Sequence, residues 1–124
     1  MTLPNFYPFS ELVVTCKTAS VGTSPAAAWC VAPVRGRVVR TYAVLEGTIT
    51  TANAVIAVGI NGGADIGTGA LSVAPGAAGT GASDAPSNTG GNAQVNEGDF
   101  IAFTPSGATG ATIPATFHAV IREQ

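Results

Sequence analysis

Residues 54–63 of the chain read Ala54-Val55-Ile56-Ala57-Val58-Gly59-Ile60-Asn61-Gly62-Gly63. The side chains of Ile56, Val58 and Ile60 fall on one side of an extended chain, which is the period-two pattern of a β-strand with one buried face. The Asn-Gly pair that follows accepts positive φ angles and is typical of a tight turn next to a strand. This stretch therefore predicts a strand that ends in a turn, and no window of the sequence shows the apolar period of a helix.

The same alternation and a high content of β-branched residues predict further strands on both sides of this stretch. They are expected at residues 11–19, 28–32, 37–45, 70–74, 99–104 and 112–122. Within 37–45, the side chains predicted to share one face are Val39, Thr41, Ala43 and Leu45. Short strands separated by Gly and Pro turns are typical of an antiparallel β-sandwich or jelly roll, so we predict an all-β fold of about 7–8 short strands. Trp29 and the phenylalanines are expected at the centre of its core.

The N-terminal segment, residues 1–10, is predicted to be an extended arm, because its prolines disfavour helix for the residues that precede them. It contains Phe6, Tyr7 and Phe9. Leaving three aromatic side chains in water is unfavourable, since the burial of each contributes about 1.5–3 kcal/mol. We therefore expect the arm to contact another subunit, with folding back onto its own domain as the alternative.

Residues 61–96 are predicted to be a long loop region, because Gly, Ala, Ser, Thr and Asn dominate there and neither Lys nor Arg occurs. Within it, residues 75–96 are expected to be a structureless connection, a kind of segment that is usually functional or held by a partner. The predicted organisation is an extended arm at residues 1–10 followed by a single β-sandwich domain at residues 11–124.

The composition is poor in charge. Charged residues make up 10% of the chain, and its net charge is −2, whereas ordinary soluble domains contain roughly 25% of charged residues. We therefore expect no nucleic-acid partner, and no membrane partner either, because the longest apolar run, residues 54–60, is too short to cross a bilayer. A chain of this kind is expected to cover part of its surface in an assembly. Because it begins without a basic and apolar leader, we expect it to be made in the cytoplasm.

Groups that carry out chemistry are nearly absent. The single histidine, His118, and the single lysine, Lys17, both lie in predicted strands. A metal site needs Cys and His, or a cluster of oxygen ligands, at close spacing, and neither pattern occurs. Cys16 and Cys30 are predicted to be reduced core residues, because a buried thiol behaves as a small apolar side chain; a disulfide between the first two strands is the alternative. We expect no enzymatic activity, no cofactor and no bound metal.

Arg35, Arg37 and Arg40 form a cluster of like charges in the sequence. Three arginines are too few for strong binding to nucleic acid. We interpret them as candidate contacts to an acidic partner surface, with a solvated strand edge as the alternative. The predicted partner-contact residues are these three and the aromatic residues of the arm, Phe6, Tyr7 and Phe9.

The segment from Trp29 to Gly62, together with Val95-Asn96-Glu97-Gly98-Asp99-Phe100-Ile101 and the final predicted strand, resembles the capsid decoration proteins, or cement proteins, of tailed bacteriophages. The order of these segments around a Gly- and Ala-rich middle carries the resemblance, which covers roughly residues 27–124. The resemblance implies a β-sandwich that forms a homotrimer on the outer surface of the virion. It also implies that the protein bridges neighbouring capsomers, with the major capsid protein as its partner and without any catalytic residue.

The sequence bears on three classes of function. The leading hypothesis is a structural virion protein that stabilises the capsid. The alternative is a receptor- or glycan-binding module of a phage tail fibre or a similar appendage, which needs exposed aromatic side chains on its loops, and residues 61–96 contain no aromatic residue. A small hydrolase is disfavoured, because the sequence shows no acid–base pair for it.

Overall fold

The computed structural model describes residues 10–50, 52–63, 66, 71–84, 93–106 and 112–123. Within these residues the chain forms strands and turns and no helix, so the predicted all-β class is confirmed. It follows that no helix of the described residues is long and apolar enough to cross a membrane. The strands are, in chain order, β1 Glu11–Thr18, β2 Ala28–Val31, β3 Gly36–Leu45, β4 Ala54–Ile60, β5 Leu71–Val73, β6 Gly81–Asp84, β7 Gln94–Val95, β8 Phe100–Pro105 and β9 Ala115–Glu123.

The strands form two antiparallel sheets. The five-stranded sheet has the order β1-β9-β3-β6, with β7 also paired to β3, and the four-stranded sheet has the order β2-β8-β4-β5. Strands that follow one another in the chain mostly belong to different sheets, so the chain crosses repeatedly from one layer to the other. This is the arrangement of a jelly roll. The predicted antiparallel β-sandwich is confirmed.

The core lies between the two sheets and is built around two phenylalanines. Phe103 of β8 and Phe117 of β9 are fully buried, and their stacked rings have centroids 4.8 Å apart. Since one ring comes from each sheet, the pair joins the two layers at the centre of the molecule. A stacked aromatic pair contributes about 0.5–1.5 kcal/mol beyond the burial of its surface. The predicted central position of the phenylalanines is confirmed for these two.

Trp29 is not in this core, so its predicted central position is wrong. Its side chain is 62% exposed on β2, whereas Ala28 and Cys30 on either side of it are buried. The pattern is ambiguous in sequence because small side chains occupy both inner positions of β2. The alternation of the strand then directs the large ring to the outside.

β3 contains a β-bulge that changes which side chains reach the core. Its pairing with β9 shifts between Val38 and Arg40, so one extra residue lies between these two positions. Val38 is therefore buried on the same side as Thr41 and Ala43, whereas Val39 is half-buried. The prediction that Val39 shares a face with Thr41, Ala43 and Leu45 is wrong, because a bulge adds one residue and reverses the alternation beyond it. The predicted common face of Thr41, Ala43 and Leu45 is confirmed, and the structure shows that it is the buried face.

Residues 75–96 are not structureless throughout. β6 and β7 lie in this stretch and pair with β3, and Gly76 forms an isolated bridge with Ile49. The expectation is wrong for these positions, while residues 85–92 lie outside the described residues. Both strands are too short to show an alternating pattern, so only their pairing with β3 reveals them.

The turn predicted after β4 is confirmed. Asn61 and Gly62 have φ angles of 53° and 79°, and the Gly63 amide donates to the Ile60 carbonyl over 2.9 Å. The positive φ angles explain why an Asn-Gly pair occupies this site.

Candidate assembly surface

Charged side chains are unevenly divided between the two sheets. The strands of the four-stranded sheet contain no Asp, Glu, Lys or Arg. The strands of the five-stranded sheet carry Glu11, Lys17, Arg37, Arg40, Asp84, Arg122 and Glu123. The sandwich therefore has a charged side and an uncharged side.

The uncharged side presents large apolar groups to solvent. Trp29 and Val31 of β2 are 62% and 58% exposed, and Phe100 of β8 is 36% exposed. They are neighbours, because Val31 lies opposite Phe100 and Trp29 opposite Ala102 in the pairing of β2 with β8. Trp29 and Phe100 also line a shallow depression, and contiguous apolar patches of this kind mark interaction sites. The apolar face, as we call it, consists of the exposed residues Trp29, Val31, Val55, Ala57 and Phe100.

A polar network at one end of the four-stranded sheet holds Phe100 in place. The turn before β8 closes with the Asp99 amide donating to the Asn96 carbonyl over 3.0 Å, and Gly98 has a φ of 92° there. Asn61 binds both backbone groups of Phe100, since its amide donates to the carbonyl and its side-chain oxygen accepts from the amide at 3.0 Å. The Asn96 amide donates to the Asp99 carboxylate over 2.8 Å. This bond, and then the Asn61 side chain, lowers the pKa of Asp99 below its ordinary value.

β1 and β2 run side by side where the edges of the two sheets meet. The sulfurs of Cys16 and Cys30 are 3.7 Å apart, and the Thr18 hydroxyl donates to the carbonyl of Ala26. The two strands therefore run in opposite directions, so β1 begins at the end of the sandwich where β2 ends and β8 begins. Ser10 continues β1 at this end, because its carbonyl accepts from the amide of the last residue of β9 over 2.7 Å.

The structure places two of the three predicted arginines on one face. Arg37 and Arg40 lie on the outer face of β3, and Arg35 is exposed in the connection before this strand. Arg122 of β9 lies opposite Arg37, and its guanidinium binds the Glu11 carboxylate at 2.7 Å. Sequence reasoning missed Arg122, because only the pairing of β3 with β9 brings these distant positions together.

Phe6, Tyr7 and Phe9 lie outside the described residues, so their contact with a partner stays a prediction. Sequence reasoning also missed the apolar face. The sequence does show that these predicted strands lack charged residues. It does not show whether Trp29 faces the core or the solvent, because that depends on which residues of other strands fill the core.

Reactive side chains on the described residues are few. Nδ1 of His118 lies 3.0 Å from the hydroxyl of Thr15, which faces it across β1 and β9. Cys16 and Cys30 are free thiols, half-buried and buried, and the contact with the Cys30 sulfur, followed by burial, raises the pKa of Cys16. Within the described ranges, no group of three or more His, Cys, Asp or Glu side chains is placed to hold a metal ion.

Comparison with known proteins gives a likeness in fold. No protein-family model matches the sequence, and no curated protein matches it. Among solved structures, a chain of the cyanophage Pam1 capsid asymmetric unit is similar, with a TM-score of 0.58 and 14% sequence identity. The similarity covers 92% of this chain and 86% of that chain. At this level of identity, the likeness shows a shared fold.

Proposed function

We propose that the protein is a structural protein of a phage virion, without enzymatic activity, and that the apolar face is a contact surface within the assembly. The observation that carries this proposal is the four-stranded sheet whose strands hold no charged residue. Burial of apolar surface contributes about 25 cal/mol per Å², so the exposed side chains of Trp29, Val31 and Phe100 favour a partner that covers them. The fold shared with a chain of a phage capsid structure supports the same proposal.

In finer detail, the protein is a homotrimer on the outer surface of the phage head. A closed ring of copies covers apolar faces without forming fibres. Arg37 and Arg40 of the charged side, together with Arg35 in the connection before β3, then face an acidic surface of the major capsid protein. By bridging neighbouring capsomers, the protein adds binding energy that must be lost before the shell opens. The resemblance of the sequence to decoration proteins supports the trimer and its position.

The proposed function can be tested by adding the purified protein to phage heads that lack it. Purified protein is expected to bind them and to raise the temperature at which a DNA-binding dye gains access to the genome. Arg40→Glu should weaken the binding about fivefold, since a surface ion pair contributes up to about 1 kcal/mol.

Lys17→Glu is the matched control, because it reverses one charge at the other end of the same sheet, where Lys17 pairs with Glu46 at 3.5 Å. It should bind heads as the parent does. If the protein does not bind heads but is retained by bacterial surface glycans, the result favours the alternative function, a receptor- or glycan-binding module.

A further inference from the structure

The apolar face lacks a cover among the described residues. Trp29 and Val31 each expose more than half of their side-chain surface, and Phe100 exposes 36%. The face also has a definite place in the fold, because the network around Asn61 and Asp99 holds the Phe100 end of β8. A rigid apolar surface with a tryptophan and a phenylalanine side by side is suited to receive aromatic side chains.

Residues 1–9 have the chemistry that this face requires. The segment contains Leu3, Phe6, Tyr7 and Phe9 and carries no charged side chain. It precedes Ser10, which lies at the end of the sandwich where Val31 and Phe100 are placed opposite each other. Extended residues span about 3.3–3.6 Å each, so the segment reaches roughly 30 Å. Neighbouring strands are about 4.8 Å apart, so this reach exceeds the width of a four-stranded sheet.

The orientation of Ser10 favours a neighbouring copy as the partner of residues 1–9. The bond from the Glu123 amide to the Ser10 carbonyl keeps Ser10 in line with β1. A segment that continued this line beyond Ser10 would leave the sandwich at this end. Trp29 of the same chain lies the other way, toward the beginning of β2. To dock on the apolar face of its own copy, residues 1–9 would have to reverse direction immediately before Ser10. To dock on the apolar face of an adjacent copy, they need no such reversal.

We propose that residues 1–9 of one copy dock on the apolar face of a second copy of this chain, with their aromatic rings against Trp29 and Phe100. The inference rests on the proposed function and deepens it, since it names the contact that joins the copies. Each copy both gives an arm and receives one, a head-to-tail contact that closes into a ring when the rotation between neighbouring copies allows it.

Trp29 is the single tryptophan of the chain, so tryptophan fluorescence reports directly whether the apolar face is exposed to solvent or covered. A reporter chain carries Phe6→Ser, Tyr7→Ser and Phe9→Ser and keeps Trp29. A donor chain carries Trp29→Phe and keeps the aromatic arm, so it emits nothing from tryptophan. After the two chains are mixed and left to exchange, the Trp29 emission of the reporter should shift to the blue. Its quenching by iodide should fall by about half, because the ring is 62% exposed without a cover.

A control donor carries Trp29→Phe together with the three serine substitutions, and it should leave the emission of the reporter unchanged. A blue-shifted Trp29 in the intact chain diluted to monomer, with no change on mixing, would mean docking within one copy and would overturn the proposal. An unchanged emission in every mixture would overturn it too. In either case, binding of the reporter chain to heads decides separately whether the proposed function stands.

Discussion

At Gly36 the lack of a side chain is a structural requirement. The residue lies in β3 where both β9 and β7 pair with it, opposite Glu123 and Val95. A Cβ atom built on Gly36 would collide with the carbonyl oxygen of Arg122. This oxygen belongs to the backbone of β9, so no side-chain rotation can relieve the collision.

Gly36→Ala is therefore expected to destabilise the fold by about 1–3 kcal/mol, the usual cost of added volume in a packed region. Urea unfolding should show this as a lower midpoint. Gly47→Ala is the matched control, because its Cβ would meet only the side chain of Ile113, at 3.3 Å. An equal loss in both variants would show that the approach of β3 to β9 is not the cause.

Asp99 is expected to make stability depend on pH in the acidic range. The Asn96 amide and the Asn61 side chain lower the pKa of Asp99. A carboxyl group with a lowered folded-state pKa stabilises the fold above its unfolded pKa, and this contribution disappears as the pH falls through the folded value. The thermal unfolding midpoint should thus fall as the pH is lowered from about 5 to about 2. Asp99→Asn should reduce this dependence of the unfolding midpoint on pH. Glu97→Gln in the same turn is the control. If it reduces the pH dependence equally, the contact between Asn96 and Asp99 is not responsible.

At the scale of strands, the position of a strand with a clear alternating pattern can be predicted from the sequence, but which strands pair with each other cannot. β4 was predicted at residues 54–60 and is observed at Ala54–Ile60, because its alternation and its Asn-Gly turn are properties of the segment itself. β6 and β7 were missed, since both exist only as partners of β3. The bulge that buries Val38 in place of Val39 depends on the register with β9, which the sequence of β3 alone does not contain.

The candidate site shows the same division. Arg35, Arg37 and Arg40 were identifiable because they are close in sequence. The apolar face was not, because Trp29 and Phe100 become neighbours only through the pairing of β2 with β8.

The contact between β1 and β2 predicts a redox response. Two free thiols should be titrated in the denatured, unreduced protein, as Cys16 and Cys30 are free. A mild oxidant should then join them, because their sulfurs already lie 3.7 Å apart. The bond would tie the two sheets together and raise the free energy of unfolding by about 3 kcal/mol. Cys16→Ser should show no gain on oxidation, and purified protein without any free thiol would contradict the prediction.

At the scale of the whole molecule, the uneven division of charge predicts which side holds the copies together. Light scattering of the protein should give three times the chain mass. Trp29→Glu, which places a carboxylate in the apolar face, should give the mass of one chain with an unchanged circular dichroism spectrum. Val13→Glu is the matched control, because Val13 is 61% exposed on the other sheet, nearly as much as Trp29 at 62%. A trimer that survives Trp29→Glu would show that the copies meet elsewhere.

The two sides of the sandwich also respond in opposite ways to ionic strength. Contacts made by the apolar face strengthen in sulfate and phosphate salts, which are excluded from protein surfaces. Contacts made by the arginines of the charged side weaken as salt rises, because charges are screened beyond about 10 Å at 0.1 M. A wash of decorated heads with concentrated sulfate should therefore strip the protein from the shell while leaving its copies joined, so that it is recovered as intact trimers ready to rebind after desalting.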